Sequence, residues 1–263
     1  MAGEGARWVD DAIGATFRAD VLAGQVALVV GGSSGIGAAI ARALASAGAE
    51  VTITGVTDAD VSCARSAPDF AAHGAFALDV RDAPAVTALI AGLPRLDLLV
   101  NCAGIIRRGA EHDLGVFADV LDVNLTGTMR CCALARHKLA EAATRRGGAI
   151  VNMASVLAYH GGALVPAYSA SKGGIAQLTK SLALAYAEQR IRVNAIAPGW
   201  VRTPLTQPLQ DDAARDEAIR TRTPLRRWAE PDDIAGAALF LCSPAARFMT
   251  GAIVQVDGGY LIA

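Results

Sequence analysis

Tyr168 and Lys172 stand four residues apart in the segment AYSASKGGIAQLTKSLALAYAEQ. At that spacing on a helix two side chains share one face. A free phenol has a pKa of about 10, too high for ready proton exchange at neutral pH. A neighbouring ammonium stabilises the phenolate and lowers that value. The pair therefore reads as an acid–base device for interconverting an alcohol and a carbonyl. A surface tyrosine beside a solvated lysine is the plainer reading, but only 3 of the 24 basic residues are Lys, which makes a well-placed lysine informative. Upstream, Ser155 closes the apolar run AIVNMAS. A hydroxyl there can donate to a substrate oxygen as charge develops on it; alone it would pass for a turn residue. Asn124, in LDVNLTG, is a mediocre helix former inside a long helical stretch and needs partners if buried.

A second motif, Val30-Gly31-Gly32-Ser33-Ser34-Gly35-Ile36-Gly37, joins the first apolar run to a helical stretch. Gly31 permits a sharp exit from a strand, Gly35 a close approach of backbone to phosphate, and Gly37 close packing of helix on sheet. The helix start offers free N–H groups and a positive dipole end to an anion. A tight turn without ligand is the alternative. The loop lacks the Lys-Ser/Thr ending of a nucleoside-triphosphate loop.

These groups need a scaffold that brings them to one edge. Short runs of β-type residues alternate with helical stretches: Val26–Val30, Val51–Thr54, Ala75–Leu78, Leu96–Val100, Ala149–Met153, Ile191–Ile196 and Ile253–Val256. Most are apolar throughout, as in a sheet covered on both faces. The segments between them, Ile36–Ala47, Ala83–Ala91, Val116–Ala142, Ala167–Glu188 and Asp232–Leu241, are long enough for crossover helices. The expected fold is α/β: one domain with a doubly wound parallel sheet of about seven strands and helices on both faces. Ligands bind at the strand ends of such a sheet.

Residues 1–20 read as an N-terminal extension, either a loosely held arm or a short helix on a neighbouring subunit; residues 21–263 form the catalytic domain. In 263 residues, 24 basic side chains meet 25 acidic ones, which gives no electrostatic reason to expect nucleic acid or an anionic membrane. The longest stretch without charge, residues 147–171, contains Asn152, His160 and Pro166 and is no lipid-facing helix. The first twenty residues lack the apolar core of a secretory leader. Five cysteines, at 63, 102, 131, 132 and 242, show no metal-ligand spacing, so no metal is expected and a cytoplasmic setting is. Cys131 and Cys132 read as small buried apolar residues.

The chain resembles the short-chain dehydrogenase/reductase family, in motifs that follow the family's order from Gly31 to the C-terminal VDGGY. The resemblance implies a Rossmann-type fold, hydride transfer with a nicotinamide cofactor, a small-molecule substrate and usually a homotetramer. It implies Tyr168 as proton donor and acceptor, Ser155 polarising the carbonyl, and Lys172 tuning Tyr168 and holding the nicotinamide ribose. Asn124 would disturb its helix and keep a relay water. Cofactor contacts are implied at Gly31, Ser33, Ser34, Gly35, Ile36, Gly37, Asp79, Val80, Asn101, Ala103, Gly104, Tyr168, Lys172, Pro198, Gly199, Val201 and Thr203. Two positions depart from the pattern. Val30 stands where the family usually has Thr, and Cys102 replaces the second Asn of Asn-Asn-Ala-Gly.

The ribose is normally read just after the second strand. Gly55-Val56-Thr57-Asp58 puts no acid at 55 and no Arg at 56 or 57, and Asp58 would repel a 2′-phosphate, so NAD is expected over NADP. NCAGIIRR and LVPAYSASK resemble a subset of the family that acts on sugar acids, such as the gluconate 5-dehydrogenases and 2-deoxy-D-gluconate 3-dehydrogenases. Arg107 and Arg108 would then bind a substrate carboxylate, or else face solvent or a subunit interface. His160 is a further substrate-side residue, as wall or second base. Thr203–Trp228 reads as a mostly helical lid or as an exposed charged helix that never closes. The expected activity is NAD(P)-dependent interconversion of a secondary alcohol and a ketone, on a sugar or sugar acid. The alternatives are reduction of a 3-oxoacyl thioester and, in another class, a non-catalytic dinucleotide-sensing protein.

Overall fold

The computed structural model describes residues 17–68, 72–142 and 148–263. The expected N-terminal extension lies outside them up to residue 16. Phe17, the first described residue, packs partly buried against the core.

Seven strands form one sheet: β1 (Val26–Val30), β2 (Glu50–Gly55), β3 (Gly74–Ala77), β4 (Leu98–Asn101), β5 (Gly148–Met153), β6 (Ile191–Pro198) and β7 (Ile253–Val256). Their order is β3-β2-β1-β4-β5-β6-β7, and every pairing is parallel. The wholly apolar VALVV of β1 and LLV of β4 lie at the centre with every residue buried; the edge strands β3 and β7 are partly exposed. Continuous apolar runs are what two covered faces require. On one face α1 (Gly35–Ser46) packs against the helix Pro231–Cys242 through Ile40, Leu44, Ile234 and Leu239. The other core gathers Leu28 of β1 with Val86, Ile90, Leu139 and Leu182 from the helices Ala83–Gly92, Gly127–Ala142 and Pro166–Tyr186.

The β1–β4 pairing places Val30 beside Asn101. The chain leaves β1 toward β2 on one side and reaches β4 on the other, so a crevice opens at their carboxyl ends. Asp97 secures the opposite end: its buried carboxylate accepts from Val26 N at 2.7 Å and from Arg95 Nε at 2.7 Å.

Two elements differ from expectation. The long helix expected over Val116–Ala142 is α-helix only at Leu114–Leu121 and Gly127–Ala142, with a five-residue π-helical turn, Asp122–Thr126, between them. The helix Asp58–Arg65 was not expected. Its sequence has little apolar periodicity, but Thr57 and Asp60 form a capping box, a signature legible in T-x-x-D.

Gly37 holds the glycine loop to α1: a Cβ there would stand 2.1 Å from Gly31 O. Gly37→Ala should therefore destabilise the fold by about 1–3 kcal/mol, the range for overpacking, and weaken dinucleotide binding. Thermal melting and cofactor titration check both outcomes.

Candidate active site

A cleft of about 420 Å³ opens at the crevice between β1 and β4. The glycine loop forms its floor, and Gly31, Ser33, Ser34, Gly35, Ile36 and Gly37 all line it. Gly31 has a φ of +77°, and a Cβ there would stand 2.6 Å from Ala103 N. Only glycine lets the first loop and the β4 loop come this close. Where Val30 offers no hydroxyl, Thr54 supplies one from β2: its Oγ1 accepts from Gly31 N at 3.1 Å. Ser34 makes no side-chain cap at the start of α1. The first N–H groups of that helix thus remain free to bind an anion, which fits the pyrophosphate of a dinucleotide.

Further along the wall stand Asp79, Val80, Ala103, Gly104, Arg107, Tyr168, Lys172 and Thr203. Asp79 is clamped by Arg81 at 2.6 Å, which holds its carboxyl below the usual range. Four residues expected at the cofactor are not on this wall. Asn101, the last residue of β4, turns its amide into the sheet, where Nδ2 donates to Asn152 Oδ1 at 2.9 Å and to Cys132 Sγ at 3.3 Å. Pro198 ends β6, Gly199 N is bound to Val256 O at 3.0 Å, and Val201 is buried in the core. Asp58 also misses the cleft. Asp60, one helical step on, lines it beside Gly55 and Val56, and its carboxylate accepts from Thr57 N at 2.9 Å.

Ser155, Tyr168 and Lys172 come together. The first follows β5; the other two lie in the helix Pro166–Tyr186. The Ser155 hydroxyl is hydrogen-bonded to the Tyr168 phenol. Lys172 Nζ lies 5.4 Å from the centroid of the Tyr168 ring and donates to Met153 O at 2.7 Å. At the Tyr168 phenol burial is the largest effect. Burial pushes Tyr168 up to about 12, and the hydroxyl of Ser155 is the main group opposing that shift. Burial also drives Lys172 down to about 8. The ammonium gives its hydrogen bond to a carbonyl and lies over the ring.

Asn124 sits in the π-helical turn, 0% exposed. Its Oδ1 accepts from Ile105 N at 2.8 Å; its Nδ2 donates to Ile105 O at 3.0 Å and to Ser171 Oγ at 3.1 Å. It thereby joins the β4 loop to the tyrosine-bearing helix. A Cβ on Gly104 would come within 3.3 Å of Asn124 Oδ1 and 3.8 Å of Lys172 Nζ, so the two groups meet at that glycine.

The paired arginines separate. Arg107 is exposed on the cleft wall, while Arg108 is less exposed and interacts electrostatically with Tyr168, Glu111 and Arg215. Burial and the neighbouring Arg215 hold its guanidinium below the usual range. It forms no ion pair among the described residues. His160 stacks at 5.8 Å on Tyr260, whose ring carries the Arg222 guanidinium at 4.3 Å; the His160 Nε2 atom is buried without a partner. Sequence reasoning missed Asp60 and Glu111. The Thr57 capping box could have exposed the first; nothing in GAEHD marks the second as buried.

The crevice, the uncapped helix start and the phenol–hydroxyl–ammonium group define a dinucleotide-binding α/β oxidoreductase. A family model described as enoyl-(acyl carrier protein) reductase matches residues 30–261. The chain is 43% identical over 251 residues to a 2-dehydro-3-deoxy-D-gluconate 5-dehydrogenase of Bacillus subtilis, covering 91% of this chain and 96% of the relative. It is 41% identical over 254 residues to a D-threitol dehydrogenase of Mycolicibacterium smegmatis, covering 94% and 95%. A gluconate 5-dehydrogenase of Burkholderia cenocepacia, solved in complex with NADP and tartrate, matches with a TM-score of 0.85 and 34% identity, covering 93% of this chain and 98% of that one. The chain belongs to the short-chain dehydrogenase/reductase family. It is an NAD(P)-dependent oxidoreductase that interconverts a secondary alcohol and a ketone, and the non-catalytic alternative falls away. No helix among the described residues is long and apolar enough to cross a membrane, and no group of metal-binding side chains occurs among them.

The unfolded chain keeps a proton on lysine up to about pH 10.4. The folded chain keeps the Lys172 proton only to about 8. The unfolded state therefore binds more protons in that window, and stability rises with pH across it. Lys172→Met should remove this contribution. The unfolding free energy of the wild type minus that of the variant, measured in urea, should climb between about pH 8 and about pH 10; a flat difference would mean the ammonium is well solvated.

Proposed function

We propose that the substrate is a sugar acid, oxidised or reduced at a secondary carbon, with Arg108 holding its carboxylate. One observation carries this reading: a partly buried guanidinium without an ion pair, whose charge is felt at the phenol of Tyr168. Such a group seeks a bidentate anion. The relatives named for sugar acids, and the one solved with tartrate, support it. Arg107 stands closer to the dinucleotide cleft and is the less suited of the pair.

A nicotinamide dinucleotide, when bound, supplies or accepts the hydride. In our reading Tyr168 gives or takes the hydroxyl proton at its phenolic oxygen, and Ser155 donates a hydrogen bond to the same substrate oxygen. Lys172 offers a nearby positive charge to the phenolate and binds the ribose. Asn124 acts by position, tying Ile105 to Ser171. His160 offers its unpartnered Nε2 to a substrate hydroxyl. Gly31 through Gly37, with Asp79, Val80, Ala103, Gly104 and Thr203, cradle the dinucleotide.

Residues 203–228 serve as a lid. Leu209, Ile219 and Trp228 give that segment a small core of its own, and Trp228 Nε1 donates to Asp216 Oδ1 at 2.7 Å, so it is built to move as a unit. We also propose a homotetramer in the cytoplasm. The exposed Leu184 and Phe248 offer apolar contact surface, and all five cysteines are free.

Arg108→Ala should raise KM for an aldonic or uronic acid by about tenfold to a hundredfold and leave KM for a neutral polyol within a few-fold. The assay is a panel of polyols, aldonic acids, uronic acids and a 3-oxoacyl thioester, followed through the reduced cofactor. Faster turnover of the thioester than of any acid would overturn the reading.

For the cofactor we propose NAD over NADP. The Asp60 carboxylate, in the helix that follows β2, can accept from a ribose hydroxyl and repels a 2′-phosphate. The relative solved with NADP argues the other way. Initial rates with each cofactor decide it: kcat/KM should favour NAD, and Asp60→Ala should narrow the gap. A wild-type preference for NADP would reject the proposal.

A further inference from the structure

Glu111 has no part in the roles assigned above, yet its carboxylate is 0% exposed. A buried carboxylate is costly unless hydrogen bonds replace its water. Both of its oxygens are engaged by main-chain amides of the site. Oε1 accepts from Arg107 N at 2.9 Å, and Oε2 accepts from Tyr168 N at 2.8 Å.

The helix that carries Tyr168 explains the second bond. It begins after Val165, whose side chain cannot cap, and Pro166 contributes no N–H. The Tyr168 amide is one of the donors that a helix start leaves open. A carboxylate from 57 residues upstream takes it, at the positive end of a 21-residue helix. On its other side the Tyr168 carbonyl accepts from Ser171 Oγ at 2.7 Å, and Ser171 is held by Asn124. The Tyr168 N–H is thus tied through Glu111 to Arg107, and its C=O through Ser171 and Asn124 to Ile105.

We infer that Glu111 is a positioning residue for the reaction: it clamps the loop carrying Arg107 and Arg108 to the first turn of the helix carrying Tyr168, so that the acid–base group and the substrate-binding Arg108 keep one fixed separation. The inference rests on the roles proposed for Tyr168 and Arg108. A simple helix cap would need only one of the two bonds. The charge also bears on the phenol. The groups facing Tyr168 are Ser155 and Arg108, which lower its pKa, Glu111, which raises it, and Lys172 over the ring.

Glu111→Gln removes the charge and one of the two acceptors. Hydrogen exchange should accelerate together in the peptides holding Arg107 and Tyr168, with or without a known substrate. With a substrate, kcat should fall by about tenfold to a hundredfold, as for a small misplacement of reacting groups. Cofactor affinity should hold, and the alkaline limb of the kcat profile should move to lower pH. Glu111→Asp keeps the charge but reaches only one amide, so its kcat should fall while its pH limb stays in place; it carries the test if the Gln variant does not fold. Faster exchange confined to the helix start, or in neither segment, would reduce Glu111 to a cap or less and overturn the inference. So would wild-type kcat in both variants. Absence of wild-type turnover on every alcohol tried would instead count against the proposed substrate, and the exchange result would stand on its own.

Discussion

The pairing of β1 with β4 is the constraint on which the site depends. Two parallel strands that are neighbours in space but not in sequence force their connections to opposite sides, and the gap left at their carboxyl ends cannot be filled by either connection. Gly31, which follows β1, and the backbone of Ala103, two residues past β4, approach so closely that position 31 must lack a side chain. The sheet and the glycine loop are therefore one device: the register Val30–Asn101 sets where the loop turns, and the loop sets where the first helix begins.

Around this crevice the reacting groups are kept drier than their chemistry alone would favour. Lys172 is 4% exposed and Ser155 8%. Desolvation makes the ammonium easier to deprotonate and the phenol harder to ionise, so each group is shifted toward its neutral form. In a site of this kind a charge brought in by a ligand is felt strongly, because little water is present to screen it.

Much of this was legible in the chain. Continuous apolar runs such as VALVV announced strands buried on both faces, and Tyr168 with Lys172 announced a shared helical face. What escaped has physical reasons. Side-chain direction at a strand end is set by the pleat, and Asn101 falls on the side that meets Asn152 and Cys132, out of reach of the cleft. Asp60 escaped in favour of Asp58 because the helix that holds both has little apolar periodicity to announce it. Glu111 looks like any surface acid among glycine, histidine and aspartate. Only the folded arrangement shows that the tyrosine helix begins with a valine and a proline and lacks a cap of its own. The phenol's response to burial also depends on the shape of the wall, which no local pattern encodes.

The π-helical turn at Asp122–Thr126 holds one more residue per turn than its neighbours would. It acts as a phase shifter. Every residue after it is rotated about the axis by about 100° relative to an uninterrupted helix. The row Cys131, Cys132, Ala135 and Leu139 meets the sheet only because of that offset. Deleting a single residue there would turn the row toward solvent while leaving the helix itself intact, so this stretch should tolerate exchange of side chains far better than any change in length.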